Sequence, residues 1–539
     1  MSRRALLAGI WMLAAQYATS ADTGSECQSC HPKEVASYLQ TGMGNSIRPA
    51  TLEMAGEFEH GYSGSSFRII GSAEGMQQSV ERDGAVGEYA IEHVIGSGNA
   101  AFGFLVRIGD YLYQSPVSYY TKRGRWDMAP GFERHPAPDF DRPVLHECVW
   151  CHAGRPNPVA GTQNRYGEPA LHAQVISCDR CHGPALDHLS LPSAETIVNP
   201  AKLAPERRDS VCEQCHLGGE ERVLNPGRTF GDFQPGMLLE EVFSVYLDDF
   251  GGPRAGRFKV VGHAEQLKLS KCHQASGDEM WCGTCHDPHA AEDSASDKYG
   301  QICMGCHQEG LMQRHPPRTD GCVDCHMVRR PSFDSGHSAF TDHLIARIPT
   351  EDGADGPPAE RIRAWREPAS PSLAQRNAGL AYLRLGRRRG RDDFMDEGAS
   401  LLARLAQRDE LDAEGLEELG SALLAKRAPP EAGLTDLAKD LLARALQTAP
   451  NTPARLRTMA AAEWQTGNVP NATDLLHRAI ALDPQNRAGY QVLARIHEER
   501  GDVQAAAEAW EGYLRYVGQS LFARHELESL RRRQRNTAP

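Results

Sequence analysis

Seven copies of the pattern Cys-x-x-Cys-His carry most of the chemistry that this sequence can offer. They lie in the first two-thirds of the 539-residue chain and use fourteen of its fifteen cysteines. Two thiols three residues apart reach the two vinyl groups on one edge of a porphyrin, and the next residue, histidine, lies under the ring as the proximal ligand to iron. The pattern therefore predicts seven covalently attached haem c groups (heme c). The predicted attachment residues are Cys27, Cys30, Cys148, Cys151, Cys178, Cys181, Cys212, Cys215, Cys282, Cys285, Cys303, Cys306, Cys322 and Cys325. The predicted proximal ligands are His31, His152, His182, His216, His286, His307 and His326.

Other uses of paired cysteines account for the pattern less well. Disulfides form in exported proteins, but they do not require a histidine after every second cysteine. Zinc sites usually combine two Cys-x-x-Cys pairs into one site. A thioredoxin-like redox pair would be single and would lie in a βαβ unit. The repetition of the histidine favours haem attachment over all three.

The fifteenth cysteine, Cys272, lies outside the motifs. A buried or free thiol is the interpretation that we favour. The alternative is a thiolate that acts near a haem or in sulfur chemistry.

Histidines are enriched beside the motifs, which predicts two histidine ligands for most of the irons. Of the 22 histidines, only His477, His497 and His525 lie in the C-terminal third. The first motif is followed by Met43 rather than by a nearby histidine. Met43 is either a sulfur ligand that raises the reduction potential or an ordinary packed methionine.

The spacing of the motifs predicts close haem packing. Successive motif histidines are separated by only 19 to 34 residues in most cases, whereas a 121-residue gap follows the first. Little chain is then available between cofactors, so the sequence predicts a conducting series of haems. Within the long gap, residues 60–125 alternate apolar residues with turn signals, which predicts a small β-rich part with a hairpin at Gly109 and Asp110.

Several segments of the chain resemble the multihaem cytochromes of the c-552/c-554 type. These are residues 147–166 (ECVWCHAGRPNPVAGTQNRY), 177–188 (SCDRCHGPALDH), 199–216 (NPAKLAPERRDSVCEQCH), 272–289 (CHQASGDEMWCGTCHDPH) and 337–343 (HSAFTDH). The resemblance implies a mainly α, haem-packed fold and distal iron ligands from well-separated parts of the chain. The distal ligands that it implies are His93, His188, His263, His289, His315, His337 and His343. No Cys-x-x-Cys-Lys motif is present, so no catalytic role follows from it.

The C-terminal third predicts a different module. It contains no cysteine, and Ala445, Pro450, Gly467 and Ala472 match Ala479, Pro484, Gly501 and Ala506 at a spacing of 34 residues. That period is typical of tetratricopeptide (TPR) repeats, which stack into an α-solenoid. The module either docks a partner protein, or caps the cytochrome region or forms a dimer. The predicted boundaries are 1–20 for a signal peptide, 21–348 for the heptahaem domain, 349–371 for a linker, 372–520 for TPR-like helices and 521–539 for a tail.

The net charge indicates which partners to expect, and the N-terminal residues indicate where the protein is located. The net charge of −13 argues against nucleic acid, which needs clustered basic residues, and fits a basic redox partner. Arg3 and Arg4, the apolar run that follows and the small residues Ala18 and Ser20 predict a secretory signal and a periplasmic or otherwise exported protein. No other apolar run is of transmembrane length.

Three functions are compatible with these patterns. The first is an electron carrier between redox partner proteins, with the TPR module used for docking. The second is an oxidoreductase that acts on a small nitrogen or sulfur compound at one five-coordinate haem. The third is a scaffold of a respiratory complex. The motifs favour the carrier because it requires nothing beyond them.

Overall fold

The computed structural model describes residues 25–250, 258–291, 298–307, 321–332, 334, 338–346, 359–426 and 433–537. The predicted signal peptide lies outside these residues, and so do the predicted ligands His315 and His337. The described chain has two regions. We call residues 25–346 the N-terminal part and residues 371–537 the solenoid.

An antiparallel sheet dominates the beginning of the N-terminal part. Its strands, in the order β10-β7-β6-β5-β4-β3-β2 with β1 also paired to β5, are β1 (Ile47–Pro49), β2 (Ala55–His60), β3 (Ser65–Ser72), β4 (Gly75–Arg82), β5 (Ala85–Ile95), β6 (Gly103–Ile108), β7 (Tyr111–Gln114) and β10 (Arg142–Pro143). A separate hairpin joins β8 (Val117–Tyr120) to β9 (Arg125–Met128). The β-rich part is therefore larger than the predicted 60–125, because strands before and after those residues complete the same sheet.

Two-residue turns set the register of this sheet. Gly109 and Asp110 connect β6 to β7, with Ile108 opposite Tyr111, which confirms the predicted hairpin. Gly109 has a φ of +59°, a conformation that glycine adopts without steric cost. Alternate residues of β3 are buried, and Phe67 and Ile69 lie in the apolar core on one face of the sheet.

Short helices and small hairpins form the rest of the N-terminal part. The helices are α1 (Ser25–Gln28), α2 (Pro32–Tyr38), α3 (His146–His152), α4 (Asp179–His182), α5 (Leu186–Ser190), α6 (Pro205–His216), α7 (His263–Leu269), α8 (Lys271–Ser276), α9 (Cys282–Cys285), α10 (Lys298–Cys306) and α11 (Cys322–His326). The strands pair as β11 (Arg155–Pro158) with β12 (Tyr166–Ala173), β13 (Glu221–Leu224) with β14 (Phe243–Asp249), and β15 (Arg329–Pro331) with β16 (Ala339–Thr341).

The solenoid consists of antiparallel helix pairs. Its described helices are α12 (Pro371–Arg389), α13 (Asp392–Gln407), α14 (Ala413–Ala425), α15 (Leu434–Thr448), α16 (Pro453–Gln465), α17 (Val469–Leu482), α18 (Arg487–Glu499), α19 (Val503–Leu514) and α20 (Leu521–Thr537). Ser370, Asp412, Thr452 and Asp502 cap helix N-termini by accepting a hydrogen bond from a backbone N–H inside the first turn.

The 34-residue period corresponds to one helix pair. Ala472 and Ala506 are fully buried where neighbouring helices cross, and small side chains there allow close packing. Gly467 and Gly501 follow helices with φ values of +80° and +75°, the left-handed geometry that ends helices. The predicted TPR-like solenoid is therefore confirmed. The prediction of a mainly α protein holds only in part, since strands make up much of the N-terminal part.

Two predicted boundaries are also revised. The predicted linker contains a strand, β17 (Arg361–Ala364), which pairs with β14. The predicted tail is helix α20, and its Leu521 belongs to the core of the large sheet. Among the residues that the structure describes, no helix is long and apolar enough to cross a membrane.

Candidate functional site

Each Cys-x-x-Cys-His motif lies on a helix or on the turn that follows it. The backbone N–H of the motif histidine donates to the carbonyl of the first cysteine in His31, His182, His286 and His307, with N···O distances of 2.8 to 2.9 Å. Residues three and four apart lie on one face of a helix. The spacing therefore places both thiols and the imidazole of a motif on the same side of the chain.

These motifs surround one cavity of about 3190 Å³, which we call the Cys–His cavity. All seven motif histidines line it, as do the motif cysteines other than Cys148. Typical small-molecule pockets measure about 300 to 1,000 Å³, so this space is several times larger than a site for one such ligand. The structure thus brings together motifs that are separated by almost 300 residues.

Histidines outside the motifs face motif histidines across this cavity. His31 and His188 have ring centroids 6.4 Å apart with 21° between the ring planes. For His182 and His289 the values are 5.8 Å and 18°, and for His286 and His343 they are 6.1 Å and 34°. His216 meets His263 at 5.3 Å with nearly perpendicular rings. Four of the residues predicted as distal ligands therefore lie beside motif histidines.

Backbone carbonyls orient several of these rings. Nδ1 of His182 lies 2.8 Å from the carbonyl oxygen of Val198, and Nδ1 of His188 lies 3.0 Å from that of Ser193. A carbonyl oxygen only accepts, so Nδ1 carries the proton and donates it. In the neutral imidazole, Nε2 is then the unprotonated nitrogen, the arrangement found in metal-binding histidines.

Two other predicted ligands are placed differently. Met43 lines the cavity, but the ring that faces His31 is that of His188. His93 does not line the cavity. It lies on β5 opposite Leu105 of β6, and burial, followed by the charge of Arg107, lowers its pKa to about 4.

Burial dominates the electrostatics of the histidine pairs. It lowers the pKa of His216 to about 4 and that of His263 to about 3, with smaller contributions from neighbouring histidines. Both rings are therefore neutral at pH 7. Cys272 lines the cavity as well, and burial raises the pKa of its thiol, which leaves it protonated and weakly nucleophilic at neutral pH.

The cofactor prediction requires correction. Within the described ranges, no group of three or more His, Cys, Asp or Glu side chains could hold a metal ion. His31 meets His188 and His182 meets His289 as pairs. The rings of His216, His263, His343 and His286 form a row of neighbours, which in the described part of the chain is not such a site. This finding contradicts the prediction of seven haem c groups.

One feature of the site could not be predicted from the motifs. Glu213, which lies between Cys212 and Cys215, accepts hydrogen bonds from Trp365 and Arg366, just before the first solenoid helix. About 150 residues separate these partners, and no sequence period connects them.

No family model matches this chain, and no curated protein matches it. Among solved structures, it is similar to MamA at 19% identity, covering 28% of this chain and 82% of that chain with a TM-score of 0.23. It is also similar to TTC0263, a thermophilic TPR protein of Thermus thermophilus, at 18% identity, 29% and 80% coverage and a TM-score of 0.26. The first TPR of Spaghetti (RPAP3), bound to an HSP90 peptide, matches at 19% identity, 23% and 98% coverage and a TM-score of 0.19. Since these scores are low, the description of the solenoid depends on its own helix geometry.

Proposed function

We propose that this chain is an exported, periplasmic electron-transfer protein. It carries electrons between redox partner proteins, and its solenoid docks one of them. The observation that carries the proposal is the Cys–His cavity, where all seven motif histidines lie together and four of them face a second histidine.

The grouping of the motifs supports transfer along a series of sites. His343 lies beside both His263 and His286, with ring centroids 4.6 and 6.1 Å away. Because His263 also lies beside His216, a row of four neighbouring rings connects the fourth motif to the fifth. Overall, one electron leaves a reduced donor protein and one electron reaches an oxidised acceptor protein, so the donor is oxidised and the acceptor is reduced with no net change in this chain.

The charge of the chain supports a basic partner. With a net charge of −13, it attracts a lysine-rich redox protein over long range, and salt weakens that attraction. An electron-transfer complex of this kind is expected to be short-lived and small in area.

The experiment measures relay of electrons by the whole chain after export in a bacterial host. Reduced methyl viologen serves as the donor and a basic mitochondrial-type cytochrome c as the acceptor. We expect acceptor reduction at least ten times faster than the viologen achieves alone, with a rate that falls as salt increases. His289→Gln should reduce the rate several-fold. His172→Gln is the matched control, because His172 is exposed and does not line the cavity. A rate equal to that of viologen alone would refute the proposal.

A further inference from the structure

The segment that leads into the solenoid holds the helix of the fourth motif. Trp365 Nε1 donates to Glu213 Oε1 at 3.2 Å, and an Arg366 NH2 group donates to Glu213 Oε2 at 2.5 Å. Arg366 also donates to Ser210 of the same helix at 2.8 Å. Its Nε lies 3.2 Å from Glu240. The Glu213 side chain is 3% exposed, so this ion pair is shielded from water.

The first solenoid helix is bound to the same region of the N-terminal part. Asn377 of α12 is fully buried. Its side-chain amide donates to Asn225 at 2.9 Å and to Ser244 at 3.0 Å. The neighbouring Arg376 donates to the carbonyl of Leu224 at 2.6 Å. A buried amide with all of these partners fixes one relative position, because any shift leaves polar groups unpaired.

The far end of the solenoid is bound to the large sheet. Gln485 donates to the carbonyl of Ile108 at 2.9 Å and accepts from the hydroxyl of Tyr113 at 3.1 Å. The backbone N–H of Leu521 donates to Asp139 at 2.8 Å. Arg487 pairs with Asp141. The solenoid is thus attached at both ends.

We infer that the solenoid is an internal brace of the Cys–His cavity, and that Arg366 is the positioning residue through which it sets the fourth motif. Ile362 N donates to the Tyr382 hydroxyl of α12 at 3.2 Å, so β17 and α12 move together. Because Arg366 lies two residues after β17, displacement of α12 is transmitted to Glu213 and to the helix that carries Cys212, Cys215 and His216. A protein that binds the solenoid would therefore act on the redox site.

This inference rests on the proposed function for its redox consequence, but its structural claim can be tested alone. Hydrogen exchange of residues 205–216 is measured in the whole exported chain. Arg366→Lys keeps the positive charge but removes the planar guanidinium group, which donates to Glu213, Ser210 and Glu240 at the same time. We expect exchange in α6 to accelerate at least tenfold, and at least one redox midpoint to shift. Arg366→Gln should have a larger effect, since it leaves two carboxylates without their cation.

The control is Arg444→Gln, which removes an ion pair with Asp409 inside the solenoid. It should leave the exchange of α6 unchanged. If Arg366→Lys changes neither the hydrogen exchange of α6 nor the redox midpoints, the inference that the solenoid braces the cavity is wrong. Should exchange accelerate in a chain that takes up no electrons, the brace stands and the proposed function fails.

Discussion

Asp139 accepts a hydrogen bond from the backbone N–H of Leu521, at a distance of 2.8 Å and across 382 residues of sequence. Leu521 is the first residue of helix α20, so a carboxylate of the N-terminal part caps the last helix of the solenoid. The Tyr89 hydroxyl donates to the same carboxylate at 3.2 Å, and the backbone N–H of Phe140 does so at 2.8 Å. This fully buried group connects the N-terminal part to the last helix of the solenoid.

Asp139 makes stability depend on pH. Burial, then repulsion from Asp141, raises its pKa from 3.8 to about 6. Between these values the folded protein binds more protons at this site than the unfolded chain does, so the contribution of Asp139 to stability falls as pH rises. It is most favourable near pH 4, and about 3 kcal/mol of it is lost by pH 7.

Asp139→Asn removes that titration. We expect the difference in unfolding free energy, unmodified protein minus variant, to decrease between pH 4.5 and 7.5 in denaturant titrations. Asp110→Asn, at an exposed position, is the control and should show little change. A difference that is constant across this range contradicts the assignment.

The partner of His31 can be distinguished by substitution. Since His188 faces His31, His188→Gln should shift one redox midpoint by more than about 60 mV, a tenfold change for a one-electron couple. Met43→Leu should leave every midpoint in place. The opposite result, a shift with Met43→Leu alone, would restore the methionine as the partner.

Cys272 is expected to have no redox role. Cys272→Ala should leave electron uptake and all midpoints unchanged, because its thiol is neutral at pH 7. Alkylation of Cys272 by iodoacetamide, followed by mass spectrometry, should be slow at pH 7 and faster above pH 9. Loss of electron relay in the variant would contradict this expectation.

Trp510 tests the packing of the solenoid. It is 2% exposed and packs against Tyr513 and Phe522. Trp510→Ala should destabilise the protein by about 3 to 5 kcal/mol, measured by the loss of helical circular dichroism on heating. Tyr516→Ala, half-exposed on the neighbouring turn, should cost far less.

Local patterns predicted local structure well in this protein. The Gly109–Asp110 hairpin and the 34-residue helix pairs follow from turn geometry and from small residues at helix crossings, which short stretches of sequence encode. The pairing of His31 with His188 and of His182 with His289 could be predicted only in part. The sequence predicted all four residues as iron ligands, but which rings lie opposite each other depends on how the chain folds back. His93, which the resemblance implied as a ligand, lies on a strand of the large sheet and does not line the Cys–His cavity.

Contacts between residues that are distant in the sequence could not be predicted from the sequence. Residues 349–371 are rich in proline, glycine and charge, which indicated a linker, yet Arg361–Ala364 adds a strand to β14. This strand is stabilised by backbone hydrogen bonds to β14, a strand that another part of the chain provides. The same holds for Arg366, whose partners Glu213 and Glu240 are more than 120 residues away.

The most direct test of the central claim is a potentiometric titration of the exported, full-length protein. Electron transfer through the Cys–His cavity predicts several reversible steps, each with the one-electron slope of about 59 mV per tenfold change in the ratio of oxidised to reduced protein. Absence of reversible uptake, or uptake only with the two-electron slope of about 30 mV that dithiol–disulfide pairs give, would contradict the account.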